Sequence, residues 1–96
     1  MKTEDDVKAD IKAYLKSTGC WWYMPVQMGY GAKGIPDFIC CWRGKFYGIE
    51  AKAPHRRNEK NGGCTAWQKD TLLGIAAAEG IALVAYSVED VKHVIF

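Results

Sequence analysis

The chain has 96 residues, 49% of them hydrophobic and 25% charged, and a formal net charge of +2. This length and balance favour one small globular domain, and they exclude two domains and any argument for nucleic-acid binding from overall charge. No apolar run reaches the roughly 18–20 residues that span a membrane, and the N-terminus lacks the apolar region of a signal peptide, so we expect a cytoplasmic protein without a membrane partner.

An amphipathic helix is predicted over residues 3–19, TEDDVKADIKAYLKSTG. Thr3 fits an N-cap, Asp6 three residues later completes a capping-box pattern, and Gly19 is a stop signal. The apolar positions recur at helical spacing and are Val7, Ile11, Tyr14 and Leu15. The next segment, CWWYMPVQM, is aromatic and apolar and predicts a strand, in which Pro25 favours an edge or a bend.

Residues 37–42 and 45–52 are predicted to form a β-hairpin after a glycine-containing loop, GYGAKG. The polar segment APHRRNEKNGGC follows as a loop. Thr65 then begins a second helix, with Gln68 at the capping-box position and Gly80 after its end. The predicted apolar face of this helix consists of Leu72, Leu73, Ile75 and Ala76.

The last residues predict a buried strand, IALVAY, and a final helix in SVEDVKHVIF, which starts with a cap pattern of Ser87 and Asp90. The order of the elements is therefore α-β-β-β-α-β-α. This order indicates an α/β fold with a mixed central sheet flanked by helices.

Two carboxylates meet where the hairpin strands end, if the hairpin turn is Arg43-Gly44. Antiparallel pairing from that turn places Asp37 opposite Glu50, and directly opposed residues share a sheet face. Lys52, two residues beyond Glu50, lies on the same face. A loop one residue longer would put the two acids on opposite faces, so the prediction depends on the register.

Opposed carboxylates beside an apolar strand pair repel each other, and a hard divalent cation removes that repulsion. Mg²⁺ or Mn²⁺ would also acidify a bound water and neutralise charge on a phosphoryl oxygen. A neighbouring lysine could orient the attacking hydroxide. Asp37, Glu50 and Lys52 together therefore indicate metal-assisted phosphodiester hydrolysis. The alternative is an ordinary surface pair of Glu50 and Lys52, with Asp37 as a turn acid after Pro36.

The four cysteines are Cys20, Cys40, Cys41 and Cys64, and they form no C-x-x-C pair. Adjacent strand residues point to opposite faces, so Cys40 and Cys41 are poorly placed to bind one metal. We expect buried free thiols, with no zinc site and no disulfides.

The motifs GIPDF and GIEAKAP resemble those of the PD-(D/E)XK nuclease superfamily, and specifically its VRR-NUC family of stand-alone phage and prophage nucleases. The likeness covers nearly the whole chain, and it includes an early helix acid and a helix that begins TAWQKDTL. The resemblance implies a single VRR-NUC nuclease domain over residues 1–96, with a restriction-endonuclease-like core of order αβββαβ(α). It further implies that Asp37, Glu50 and the backbone carbonyl of Ala51 bind Mg²⁺ or Mn²⁺ and that Lys52 is the catalytic lysine.

Single-domain members of that family look like Holliday junction resolvases. The resemblance therefore implies a homodimeric, metal-dependent DNA endonuclease that is selective for branched DNA, in the cytoplasm of a bacterial host. The rival hypotheses are a less selective or sequence-specific nuclease of the same core, a catalytically silent nucleic-acid-binding module, and a structural or partner-binding α/β protein.

Two further residues are candidates for the catalytic site. Glu4 lies on the same helical stripe as Val7 and Ile11, so it could reach the metal site, or it could be a first-turn acid favoured by the helix dipole. Gln68 shares a stripe with Leu72 and Ile75 and faces inward, and the resemblance places a glutamine there at the border of the active site. It also completes the capping box of Thr65, and both roles are compatible.

The candidate DNA contacts are less specific. Lys33 and Gly34, with Gly31, belong to the loop before Pro36, where bare backbone could approach a phosphate. Arg56 and Arg57 follow the E-x-K strand and form a local positive patch. Trp67 lies away from the apolar stripe of its helix, so we expect it to be exposed, where it could stack on a base or pack at a dimer interface.

Overall fold

The structure is a computed structural model that describes residues 1–26 and 33–96. Its helices and strands are, in chain order, α1 (Glu4–Thr18), β1 (Trp21–Tyr23), β2 (Phe38–Trp42), β3 (Lys45–Ala51), α2 (Ala66–Ala77), β4 (Ile81–Ala85) and α3 (Val88–Lys92). Two short 3₁₀ turns, Pro54–Arg56 and Lys60–Gly63, separate β3 from α2. The α/β class and the predicted order of elements are confirmed. In the described ranges, no helix has the length and apolar character needed to cross a membrane.

The four strands form one mixed sheet in the order β1-β2-β3-β4. The first three are antiparallel neighbours, and β3 and β4 are parallel, joined through α2. The parallel pair needs a long crossover connection, which the 3₁₀ turns and α2 supply.

The hairpin has the predicted two-residue turn. Trp42 pairs with Lys45, and the register runs to Phe38 opposite Ile49. Both turn residues have positive φ angles, 52° at Arg43 and 78° at Gly44, as a type I′ hairpin turn requires. Extending the register by one position places Asp37 opposite Glu50, as predicted.

The hydrophobic core lies between one sheet face and the helices α1 and α3. Its fully enclosed members include Val7, Ile11, Leu15, Phe38, Cys40, Ile49, Val91 and Ile95. Thr3 caps α1 through the predicted capping box, and Gly19 ends the helix with a φ angle of 79°. The apolar stripe that the sequence predicts is therefore the face of α1 that packs against the core.

Helix α2 covers only part of the opposite sheet face, because it packs mainly against β3 and β4. It approaches β3 closely at Gly48, where an added Cβ would lie 2.6 Å from Ile75 Cδ1. Leu72 is buried, but Leu73 is 58% exposed, so the prediction of an apolar face containing Leu73 and Ala76 was wrong for those two residues.

Three other details differ from the predictions. The first strand covers only Trp21–Tyr23, and its predicted continuation reaches residues 27 and 28, which lie outside the described ones. Strand β4 is an edge strand, so only Ala85 within it is buried. Ser87 makes no side-chain cap, because the carboxylate of Asp90 instead accepts from the Tyr86 N–H at 2.9 Å.

Candidate active site

The end of β3 carries two charged side chains that are almost completely enclosed. Glu50 is 2% exposed and Lys52 is 5% exposed, and no other charged side chain in the described ranges is classed as buried. Carboxylates and ammonium groups are rarely buried without a specific partner. Their burial at the end of β3 therefore marks this place as the candidate site.

Asp37 lies on the other side of the site, directly before the first residue of the neighbouring strand β2. Its side chain is 12% exposed, and its Oδ2 accepts a hydrogen bond of 2.9 Å from the backbone N–H of Ala51. This bond continues the hairpin beyond its last paired residues and holds the Asp37 carboxylate against the main chain that follows Glu50. The structure thus brings Asp37, Glu50 and Ala51 together, as predicted.

Gln68 connects the first turn of α2 to the site. Its Oε1 accepts from the Thr65 N–H at 2.9 Å, which completes the capping box, while its Nε2 donates to Glu50 Oε1 at 3.0 Å. One amide therefore caps α2 and also contacts Glu50. Gly34 packs directly on this turn with a φ angle of 79°, and a Cβ there would lie 2.4 Å from the backbone of Trp67.

The second oxygen of Glu50 differs from the first in its surroundings. Glu50 Oε2 is buried and has no hydrogen-bond partner among the described residues. Burial, followed by repulsion from the Asp37 carboxylate, raises the pKa of Glu50 to about 8, although Lys52 acts in the opposite direction. A buried carboxylate in this state favours either a proton or a cation.

The N-terminal turns of α1 complete the site. Lys52 Nζ lies 3.9 Å from Glu4 Oε1 and 4.0 Å from Glu50 Oε1, so it sits between the two acids. Glu4 therefore reaches the site, as its place on the helical stripe predicted. The alternative role, a first-turn acid favoured by the helix dipole, does not account for this contact.

Lys8 is a residue of the site that the sequence analysis did not identify. Its Nζ lies 3.5 Å from Asp37 Oδ1 and 3.4 Å from Glu4 Oε2. Burial by itself would lower the pKa of Lys8, but attraction to Asp37 and Glu4 outweighs burial and raises it. The spacing of Glu4 and Lys8, four residues apart on one helix, was a signal for their ion pair, but nothing local indicated the contact with Asp37.

The charged side chains of the site offer oxygen donors, the ligand type that Mg²⁺ prefers. Across residues 1–26 and 33–96, no group of three or more His, Cys, Asp or Glu side chains is arranged to hold a metal. Mg²⁺ commonly uses one or two carboxylates and completes its octahedron with water and substrate oxygens. Asp37, Glu50 Oε2 and the adjoining main chain of Ala51 provide a donor set of that kind.

Cys64 lies close enough to the site for the charges of Lys52, Glu50 and Asp37 to act on its thiol, whereas Cys20, Cys40 and Cys41 lie in or next to strands β1 and β2. All four are free, and Cys20, Cys40 and Cys64 are buried as expected. Cys41 is exposed, so the prediction of a buried thiol was wrong there. Its side chain points away from the core because it alternates with Cys40 along β2.

The candidate DNA contacts divide into two groups. Lys33 Nζ lies 4.2 Å from the centroid of the Trp67 ring, and Trp67, which directly precedes Gln68 in the first turn of α2, is 57% exposed. Arg56 instead pairs with Glu59 at 2.9 Å, and Arg57 with Asp90 at 3.0 Å. The structure does not bring either arginine into contact with the acids of the site. Gly31 lies outside the described residues.

Comparison with known proteins adds no relative. The sequence matches no protein-family model, and a search of curated proteins likewise finds no match.

Proposed function

We propose that this protein is a metal-dependent DNA endonuclease with a PD-(D/E)XK core of the VRR-NUC type. The observation that carries the proposal is the buried Oε2 of Glu50, which has no hydrogen-bond partner in residues 1–26 and 33–96 and lies in the same site as the Asp37 carboxylate. A purely structural α/β protein gains nothing from two acids in this arrangement, because each would be more stable as an apolar or amide side chain.

Asp37, Glu50 and the carbonyl of Ala51 would hold Mg²⁺ or Mn²⁺. When bound, such an ion lowers the pKa of a coordinated water and neutralises charge on a phosphoryl oxygen. Lys52 provides a positive charge beside Glu50 that orients the attacking water and stabilises the transition state. Gln68 fixes the Glu50 carboxylate through its Nε2, and Glu4 holds the ammonium of Lys52 in place.

DNA is the proposed substrate because a cation and an exposed aromatic ring lie together at the turn of α2 that carries Gln68. Lys33 can contact a phosphate, and Trp67 presents a ring on which a base can stack. The preference for branched DNA follows from the family resemblance, as does the homodimer, in which a two-fold axis would repeat the site.

An aromatic face, formed by Trp21, Tyr23 and Phe46, is the surface we assign to a second copy of the chain. These residues share one sheet face by their register, and α2 packs mainly on the other half of that face. Their exposed fractions are 60%, 47% and 45%. Sedimentation velocity of the purified protein tests the dimer, and a monomer across the micromolar range would contradict it.

The activity is tested with labelled four-way junction, splayed-arm and plain duplex DNA, each with Mg²⁺, Mn²⁺ or EDTA. We expect metal-dependent cutting, strongest on the four-way junction, and a loss of at least about 100-fold in Asp37→Ala and Lys52→Ala. Lys45→Ala is the matched control, because Lys45 is an exposed lysine at the opposite end of the same strand.

The rival functions give different results in the same experiment. Equal cutting of all three substrates would indicate a less selective nuclease, and cutting at one short sequence would indicate a restriction-type enzyme. Binding of DNA that is indifferent to EDTA, without any cutting, would indicate a silent binding module. Neither binding nor cutting would leave a structural or partner-binding role.

A further inference from the structure

The candidate site contains a second lysine that the proposed chemistry does not use. Three carboxylates, from Glu4, Asp37 and Glu50, meet two ammonium groups, from Lys8 and Lys52. Positive and negative side chains alternate in this cluster. Lys8 forms ion pairs with Asp37 and Glu4, and Lys52 forms ion pairs with Glu4 and Glu50. The acids of the metal-free site are thus partly neutralised by the protein itself.

The side chains of the two lysines differ in their burial and in their contacts. The side chain of Lys52 is 6% exposed and lies between two acids at the end of a strand. The side chain of Lys8 is 28% exposed, extends from the second turn of α1, and contacts Asp37 only through Oδ1. A long lysine side chain at the edge of a site can turn its ammonium into solvent at small free-energy cost.

We infer that Lys8 is the built-in counter-ion of Asp37 in the metal-free site and that a divalent ion displaces it. This inference rests on the proposed function, because it takes Asp37 as a metal ligand. Lys8 occupies one Asp37 oxygen, and the N–H of Ala51 occupies the other. The ion can bind the oxygen that Lys8 holds or the second lone pair of the oxygen that Ala51 holds, and in both positions the nearby ammonium repels it.

The displaced Lys8 keeps a partner. Glu4 lies one helical turn before it, with its Oε2 3.4 Å from Lys8 Nζ. Glu4 and Lys8 are four residues apart, the spacing at which helical ion pairs form. Lys8 is thus a positioning residue: it holds the Asp37 carboxylate in place before metal binding, and it competes with the metal for that carboxylate.

The inference is tested by Mn²⁺ binding, measured by isothermal titration calorimetry at neutral pH without DNA. Lys8→Met should bind Mn²⁺ about 5- to 30-fold more tightly than the wild type, the range expected when one or two partly exposed ion pairs no longer compete. Lys8→Arg keeps the charge and should bind within about twofold of the wild type. Lys12→Met is the matched control, because Lys12 is exposed one turn further along α1 and makes no ion pair with a described residue.

Two results separate the inference from the proposed function. If Asp37→Asn abolishes Mn²⁺ binding while Lys8→Met binds as weakly as the wild type or more weakly, the metal site stands and the counter-ion role is wrong. If the wild type binds no Mn²⁺ at millimolar concentration, both are overturned. Should Lys8→Met fold poorly, as shown by circular dichroism, Lys8→Gln replaces it, with the same tighter binding expected.

Discussion

Replacing Glu50 with glutamine tests the electrostatic description of the site in the metal-free protein. The substitution keeps the shape of the side chain and the acceptor that Gln68 Nε2 contacts. It removes the buried negative charge and places an amide where Oε2 has no partner among the described residues. That amide can donate to the neighbouring Asp37 carboxylate, so we expect a more stable protein at alkaline pH.

The magnitude follows from the pKa of Glu50, which rises from 4.5 to about 8 on folding. One pKa unit corresponds to about 1.4 kcal/mol, so the full shift sets an upper limit of roughly 5 kcal/mol. The glutamine loses the attraction of the carboxylate to Lys52, which offsets part of the gain. We therefore expect Glu50→Gln to stabilise the metal-free fold by about 2–4 kcal/mol above pH 8.

The pKa shift of Glu50 also gives the direction in which the free energy of unfolding changes with pH. The folded state retains the Glu50 proton between pH 4.5 and about 8, whereas the unfolded chain has released it. The contribution of Glu50 to the free energy of unfolding is therefore greatest at or below pH 4.5, and it is lost as the pH rises towards 8. In Glu50→Gln this contribution is absent, so the difference between the two proteins should grow with pH.

Urea denaturation in EDTA at pH 5 and pH 8.5, followed by tryptophan fluorescence, measures this difference. Glu79→Gln is the control, because Glu79 is an exposed acid without an ion pair to the described residues, and it should shift stability by less than about 0.5 kcal/mol. Equal pH dependence in wild type and Glu50→Gln, or a variant that is less stable at pH 8.5, would refute the reasoning.

Two further variants test how the site is positioned. Gly34→Ala should destabilise the fold by more than about 2 kcal/mol, because its φ angle is 79° and its Cβ would lie 2.4 Å from the Trp67 backbone. Gly44→Ala, with a φ angle of 78° and open space around it, should lose only about 1 kcal/mol. Gln68→Ala should lose about 1–2 kcal/mol through the helix cap and the bond to Glu50, and Gln68→Glu should be destabilising chiefly above pH 8.

Chemical denaturation of each variant in EDTA gives these values. Equal losses in the two glycine variants would show that the contact between Gly34 and α2 is loose. A Gln68→Glu variant with the same stability relative to wild type at pH 5 and pH 8.5 would show that residue 68 does not sense the charge of Glu50.

Much of the local structure was determined by short stretches of sequence. Thr3 with Asp6, and Thr65 with Gln68, specified two helix starts, because a capping box satisfies backbone N–H groups only a few residues away. The Arg43-Gly44 turn specified the hairpin register, since a side-chain period of two residues propagates the turn along both strands. That register by itself places Asp37 opposite Glu50, without any tertiary contact.

Only the tertiary structure determined how far each side chain is buried and which charged side chains form ion pairs. The sequence contains no local indication that Glu50 is 2% exposed, that Leu73 is 58% exposed, or that Trp21 remains uncovered. These outcomes depend on where α2 crosses the sheet, which is set by contacts between residues distant in the chain. The ion pair of Lys8 with Asp37 has the same origin, because it joins side chains 29 positions apart in the sequence through the packing of α1 against the end of the sheet.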